Sequence, residues 1–230
     1  MACMQTTAFD SLEGIYGHIL DELVRGVADP RHAWHWPALG SVDEGTPAQR
    51  IVVLRRVIRP AKGSGGAPVL QIHTDQRSAK VRQLEPGPQG MPAGCSLLFY
   101  NPRRRIQLRL QARCRLHHQD AAAREAWGCL PARSRWTYAV ERAPGTPIEH
   151  PPGPPEAEGG LDEARRSAVG SGSSDAGAAQ ASGFEHFTLV VCTAVLLDWL
   201  WLGSGGHRRA RFWWADGVGA GSWAGQWVQP

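Results

Sequence analysis

The stretch "QIHTDQRSAKVRQL", residues 71–84, decides the reading of this sequence. An apolar run ends at Thr74, and Arg77, Ser78 and Lys80 follow within six residues. A strand end that runs into Arg-Ser-x-Lys and a helix start collects free backbone N–H groups, a hydroxyl and two cations at one point. Such a point is a seat for a phosphate. The same residues alone also describe two solvated surface cations and a serine N-cap, so the rest of the chain has to decide.

Composition sets the frame. With 230 residues the chain is long enough for one domain of ordinary size, and one domain spanning 1–230 is expected. The net charge of +4 comes from 23 Arg and two Lys, in a chain rich in Gly, Ala and Pro. This is a bias spread over the whole sequence, not a mixed cationic face, so no nucleic-acid partner is expected. Lys80 stands out against it. Cys3, Cys95, Cys114, Cys129 and Cys192 make an odd count without a C-x-x-C pair. Neither a disulfide framework nor a zinc site is encoded, and a reducing interior is the natural home. "MACMQTTAFD" (1–10) has no basic region leading into an apolar core, so no secretory signal is read and a cytoplasmic location is expected. The most apolar segment, "FTLVVCTAVLL" (187–197), stops at Asp198, well short of the ~20 residues of a membrane-spanning helix. No membrane partner is expected.

Around the opening stretch the elements follow from periodicity. "SLEGIYGHILDELVRGV" (11–27) carries Ile15, Ile19, Leu20, Leu23 and Val24 at helical spacing, with Ser11 as N-cap and Asp29-Pro30 as the stop. Residues 49–58 are β-branched and short, "KGSGGAP" (62–68) is a turn, and 69–74 is a second apolar run, which together read as a hairpin. The glycines of that turn lack the following Lys-Ser or Lys-Thr and helix of a nucleotide phosphate loop. "SAKVRQLEP" (78–86) reads as a short helix and "CSLLFYN" (95–101) as a third strand. Residues 104–116 make a fourth, in which Ile106, Leu108, Leu110 and Ala112 alternate with polar neighbours, so one face is buried and the other is wet or working. "DAAAREAWGCL" (120–130) is helical, and two further strands flank a GSGGH turn at 203–207. Residues 148–183 are Pro-rich and then Gly/Ser/Ala-rich, too poor in apolar groups to repay ordering, and read as a disordered insertion. Five or six strands with a few short helices suggest a small barrel.

Five motifs occur in order: R-I-V-V-L-R (50–55), H-T-D-Q-R-S-A-K (73–80), R-x-x-Q-L-R (104–109), W-x9-R (201–211), and a C-terminal Trp and Pro (Trp223, Pro230). In this arrangement the sequence resembles the FMN-binding split barrels related to pyridoxamine 5'-phosphate oxidase. The resemblance spans nearly the whole chain outside the low-complexity insertion. It implies a mainly β protein, a six-stranded split β-barrel with peripheral short helices, assembled as a homodimer with FMN where the subunits meet. Carried over residue by residue, Arg50, Val53, Leu54 and Arg55 line the flavin. Thr74, Arg77, Ser78 and Lys80 meet its phosphate region, Gln107 faces the ring, and Trp201 and Arg211 complete the site. The oxidase pattern has Ser-Arg-Lys where this chain has Ala79 in the Arg position. A branch reading T-D-x-R-S-x-K resembles it better, and there Arg77 supplies the missing cation.

The substrate side departs further. The oxidase's Tyr-x3-Arg-x3-Ser group for the substrate phosphate falls on Trp127, Pro131 and Arg135, none of which matches. Its C-terminal R-x-H-x-R substrate pair falls on His207 and Arg209, exchanged or shifted, with only Arg211 kept. Three readings stay open: an FMN-dependent oxidoreductase acting on a small-molecule redox substrate, a flavin-binding module without turnover, and a true vitamin B6 oxidase with a rebuilt phosphate pocket. No Ser-His-Asp or paired-carboxylate arrangement supports hydrolysis, and no catalytic side chain is assigned. His32 and His35 lack a third ligand, so no metal is expected. Trp213, Trp214, Trp223 and Trp227 are candidates for covering a cofactor or a dimer seam.

Overall fold

The computed structural model describes residues 9–61, 64–87, 90–150, 183–214 and 223–230. Residues 151–182 of the expected insertion lie outside the described residues. The described residues divide into two compact units, one drawn from 1–73, 83–116 and 190–230, the other from 74–82 and 117–189.

In the first unit, helix α1 (Leu12–Ala28) starts where Ser11 Oγ accepts the Gly14 N–H at 3.0 Å and stops at Asp29, which has extended dihedrals. Its 3.6-residue periodicity buries Ile15, Ile19 and Leu23 completely. Tyr16 stacks on Trp223 and Phe212 at 5.0 and 5.7 Å. The strands are β1 (Ala38–Asp43), β2 (Thr46–Ile51), β3 (Arg56–Ile58), β4 (Val69–Asp75), β5 (Ala93–Asn101), β6 (Ile106–His118), β7 (Phe187–Gly203), β8 (Gly206–Trp214) and β9 (Trp223–Val228). They form an open sheet in the order β2-β1-β5-β6-β7-β4-β3, with β8 on β7 and β9 on β8. Period-two alternation sends Leu97 and Phe99 of β5 and Ile106, Leu108 and Leu110 of β6 into the core, as their spacing requires. Each such side chain contributes roughly 1.5–3 kcal/mol by leaving water.

The mainly β class holds, and the count of six strands does not: among the described residues there are nine, and the sheet they form is not closed. The single strand expected over 49–58 is two. β2 pairs with β1 through the register Ala38↔Ile51, and β3 pairs with β4 through Arg56↔Gln71. Between them the Val52 and Leu54 N–H groups bond the Pro37 and His35 carbonyls, and the Arg55 N–H bonds Gln71 O, so the chain changes neighbours. β1 and β9 were not expected because "ALGSVD" and "WAGQWV" carry little apolar alternation and form as strands by pairing with neighbours. Trp214 donates from Nε1 to Gly65 O at 2.9 Å and, like Trp223, packs on the core, so these two support the fold, whereas Trp227 is exposed. His35 also belongs to the framework, its Nδ1 lying 2.6 Å from Gly26 O.

The second unit holds α3 (Ala121–Gly128), capped by Asp120 onto the Ala123 N–H at 2.8 Å, and α4 (Ala132–Arg135). Its centre is aromatic. Trp127 meets Phe187, Tyr138 and Phe184 with ring centroids 5.3, 5.7 and 5.8 Å apart. No helix among the described residues is long and apolar enough to cross a membrane.

Candidate functional site

The 74–80 stretch leaves β4, turns at Asp75 and enters α2 (Ala79–Gln83). Lys80 Nζ donates to Thr74 Oγ1 at 3.0 Å, and that oxygen lies 3.0 Å from Ser78 Oγ. The Ser78 hydroxyl donates to Asp75 O at 2.7 Å, which fixes its rotamer. Thr74 and Ser78 are both buried. The sequence order Thr-x3-Ser-x-Lys therefore gathers two hydroxyls and an ammonium at one corner. Arg77 faces another task. Its Nε and Nη2 form a fork on the Asp75 carboxylate at 3.0 and 2.8 Å, and Nη1 and Nη2 also donate to Glu141 O and Val140 O at 2.9 and 3.0 Å. These bonds hold the guanidinium well into its charged form, with the Asp75 hydrogen bond the main cause. Asp75, which the sequence reading passed over, is the residue that positions Arg77.

In the first unit, Arg50 on β2 donates from Nη1 to Ser41 Oγ and from Nη2 to Gln83 Oε1, both at 2.5 Å. Ser41 donates to the same Gln83 oxygen at 2.7 Å, closing a three-residue polar knot. Leu54 turns its side chain into the core, while Arg55 is exposed and Val53 half-buried. Gln107 sits opposite Tyr100 on the outer face of β6. Trp201 is half-buried, 5.5 Å from the Phe9 ring, with the Arg208 guanidinium 5.8 Å above its own ring.

Arg211 belongs to a cluster that sequence reasoning missed. Asp198, on β7 and only 4% exposed, accepts from Arg209 Nε and Nη2, from Arg109 Nη2 at 2.8 Å and from Arg211 Nε at 3.0 Å. Burial pushes its carboxyl up, but the hydrogen bonds of Arg209 and Arg211 and the charge of Arg109 outweigh it and hold it below the ordinary carboxylate value. One carboxylate against three guanidinium groups leaves the spot net cationic. Arg109, Asp198 and Arg211 line a cavity of about 450 Å³ with Gln49, Ser96 and Gln111. In the sequence Asp198 stands out as the one acid of the mostly apolar β7, but its arginine partners come from β6 and β8 and no local signal names them.

Residues 18–118 match the family model described as the pyridoxamine 5'-phosphate oxidase, FMN-binding domain. Over this segment the chain is similar to the pyridoxamine 5'-phosphate oxidase-like FMN-binding family. The matched segment includes Arg50 to Arg55, the 74–80 corner and Gln107. Among solved structures, a pyridoxamine 5'-phosphate oxidase-related FMN-binding protein from Nostoc punctiforme is 22% identical, with a TM-score of 0.63 over 96% of this chain and 100% of that one. PhzG from Burkholderia lata, solved with tetrahydrophenazine-1-carboxylic acid, is 15% identical, with a TM-score of 0.57 over 95% and 90%. At these identities the two share the fold. No curated protein matches the sequence significantly.

Proposed function

We propose that the protein is an FMN-dependent oxidoreductase of the pyridoxamine 5'-phosphate oxidase-like family. The observation that carries the proposal is the corner where Lys80, Thr74 and Ser78 converge within 3.0 Å contacts. An ammonium with two fixed hydroxyls suits a phosphomonoester, because charge-assisted donors at set positions give both affinity and orientation. In this reading Thr74, Ser78 and Lys80 hold the FMN phosphate, and Arg77 braces the turn through Asp75. The roles of Arg50, Val53, Leu54, Arg55, Gln107, Trp201 and Arg211 toward the flavin rest on the family resemblance. Bound FMN would supply hydride and electron transfer, while the protein supplies orientation and local charge. The test is to purify the protein and record its absorbance for a flavin that denaturation releases.

A homodimer is part of the same proposal. Ile51, Ala38 and Leu98 stand in one row across β2, β1 and β5, and Ile51 and Leu98 are 63% and 41% exposed. Apolar side chains laid out on a sheet face in this way are suited to burial against a second copy. Ile51→Glu is expected to raise the monomer fraction in sedimentation without unfolding the chain, and an unchanged assembly would refute the assignment of this face.

Pyridoxamine 5'-phosphate is not the preferred substrate in this account. Trp127 fills the centre of an aromatic cluster, and Arg135 lies 5.5 Å over its ring and donates to Gly128 O at 3.1 Å. Arg209 is engaged by Asp198, and Arg208 by Asp10 and Phe9 O. The kcat/KM for this substrate is therefore expected far below ~10⁴ M⁻¹s⁻¹, the low end of the usual enzyme range. A value inside that range, abolished by Arg208→Ala or Arg209→Ala, would restore the B6 oxidase reading.

A further inference from the structure

Cys95, Cys114 and Cys192 are scattered in the sequence, yet β5, β6 and β7 bring them together on the buried side of the sheet. Cys114 Sγ lies 3.0 Å from Cys95 Sγ and 3.7 Å from Cys192 Sγ, and all three sulfurs fall within 4.8 Å of one another. A single buried cysteine acts as a small apolar filler. Three sulfurs converging from three adjacent strands make a donor set.

We propose that Cys95, Cys114 and Cys192 form a three-sulfur site for a soft, thiophilic metal ion, and that Cu(I) is the ion it fits. With metal–sulfur bonds of about 2.3 Å, three sulfurs arranged around one ion stand about 4 Å apart, so the 3.7 Å pair is nearly in place and the 3.0 Å pair opens by about 1 Å on binding. Thiolate sulfur selects soft ions, Cu(I) among them. Structural zinc requires four ligands, and among the described residues no fourth His, Cys, Asp or Glu joins this group. The surroundings are apolar core, including Val190, Ala112 and Ala194, which disfavours a water as fourth ligand.

The site lies near the start of β5. Cys114 pairs in register with Ala93, the first residue of β5, and Cys95 is the third. Fraying of that end gives an ion its path to sulfur without opening the whole core. Binding replaces S–H bonds by metal–sulfur bonds and releases up to three protons to solvent. The metal keeps its oxidation state, and affinity rises with pH.

The test is an anaerobic titration of the reduced full-length protein with Cu(I), in competition with a chromogenic Cu(I) chelator. The double variant Cys3→Ser/Cys129→Ser is expected to withdraw one equivalent, as the unaltered chain does through this site. Adding Cys114→Ala or Cys192→Ala should weaken uptake at least about 100-fold, since losing a direct ligand exceeds the 10–100-fold cost of losing an outer partner. Circular dichroism confirms that each variant is folded, and X-ray absorption of the loaded protein should show three sulfur neighbours. Uptake that survives Cys114→Ala in a folded variant, no uptake by the Cys3→Ser/Cys129→Ser protein, or fewer than three sulfur neighbours would each overturn the proposal.

Discussion

Asp198→Ala is expected to lower the stability of the protein at neutral pH by about 2–4 kcal/mol. Removing one partner from a buried ion pair costs ~3–5 kcal/mol because the other charge is left uncompensated. Here the arginines are unequally buried: Arg209 is 19% exposed, while Arg211 and Arg109 are 41% and 49% exposed and reach solvent screening, which reduces the loss. In a chain of this length the change corresponds to roughly 5–15 °C in melting temperature. The pH dependence is a second readout. The Asp198 carboxyl is held below its ordinary value in the folded state, so its contribution is fully present above about pH 4, the unfolded value. It is lost as pH falls from there through the depressed folded value. Denaturant melts at pH 7 and pH 3 should therefore show the gap between parent and variant narrowing on acidification. An equal gap at both pH values would mean that the three arginines do not depend on the carboxylate.

Lys80→Ala is expected to weaken FMN binding by about 1.5–3 kcal/mol, or roughly 10–150-fold in dissociation constant. The ammonium reaches Thr74 Oγ1 at 3.0 Å and that hydroxyl adjoins Ser78, so its loss removes a charge-assisted donor from the corner. Arg77 cannot take its place without giving up the fork on Asp75 and the carbonyls of residues 140 and 141. Fluorescence titration of the flavin-stripped protein measures the difference. Equal affinities in parent and variant would reduce the 74–80 stretch to an ordinary helix start.

Local periodicity made part of this molecule readable from sequence. Helix α1 follows from the spacing of Ile15, Ile19 and Leu23 with Ser11 ahead of it, and β6 from the alternation of Ile106, Leu108 and Leu110. The β7–β8 turn follows from glycine, since Gly206 adopts φ +126°. The split at 52–55 was hidden because it depends on which strand each half meets, and nothing local to "RIVVLR" states that. Similarly, the Lys80–Thr74–Ser78 corner was legible because its members lie within seven residues. The Asp198 cluster and the cysteine triad were not, because residues 95, 109, 114, 192 and 211 are joined only by sheet register. Arg77 shows the complementary limit: its charge was visible, but not the Asp75 carboxylate that would occupy it.

FMN binding at the 74–80 corner, as proposed here, has a direct optical signature. The most direct measurement is the absorbance spectrum of the purified protein before and after denaturation, with the released chromophore identified by mass and compared between parent and Lys80→Ala. A flavin spectrum is expected in the parent, with release of FMN in near-stoichiometric amount and a strongly reduced yield from the variant. A parent protein that carries no flavin and takes up none when FMN is added would contradict it.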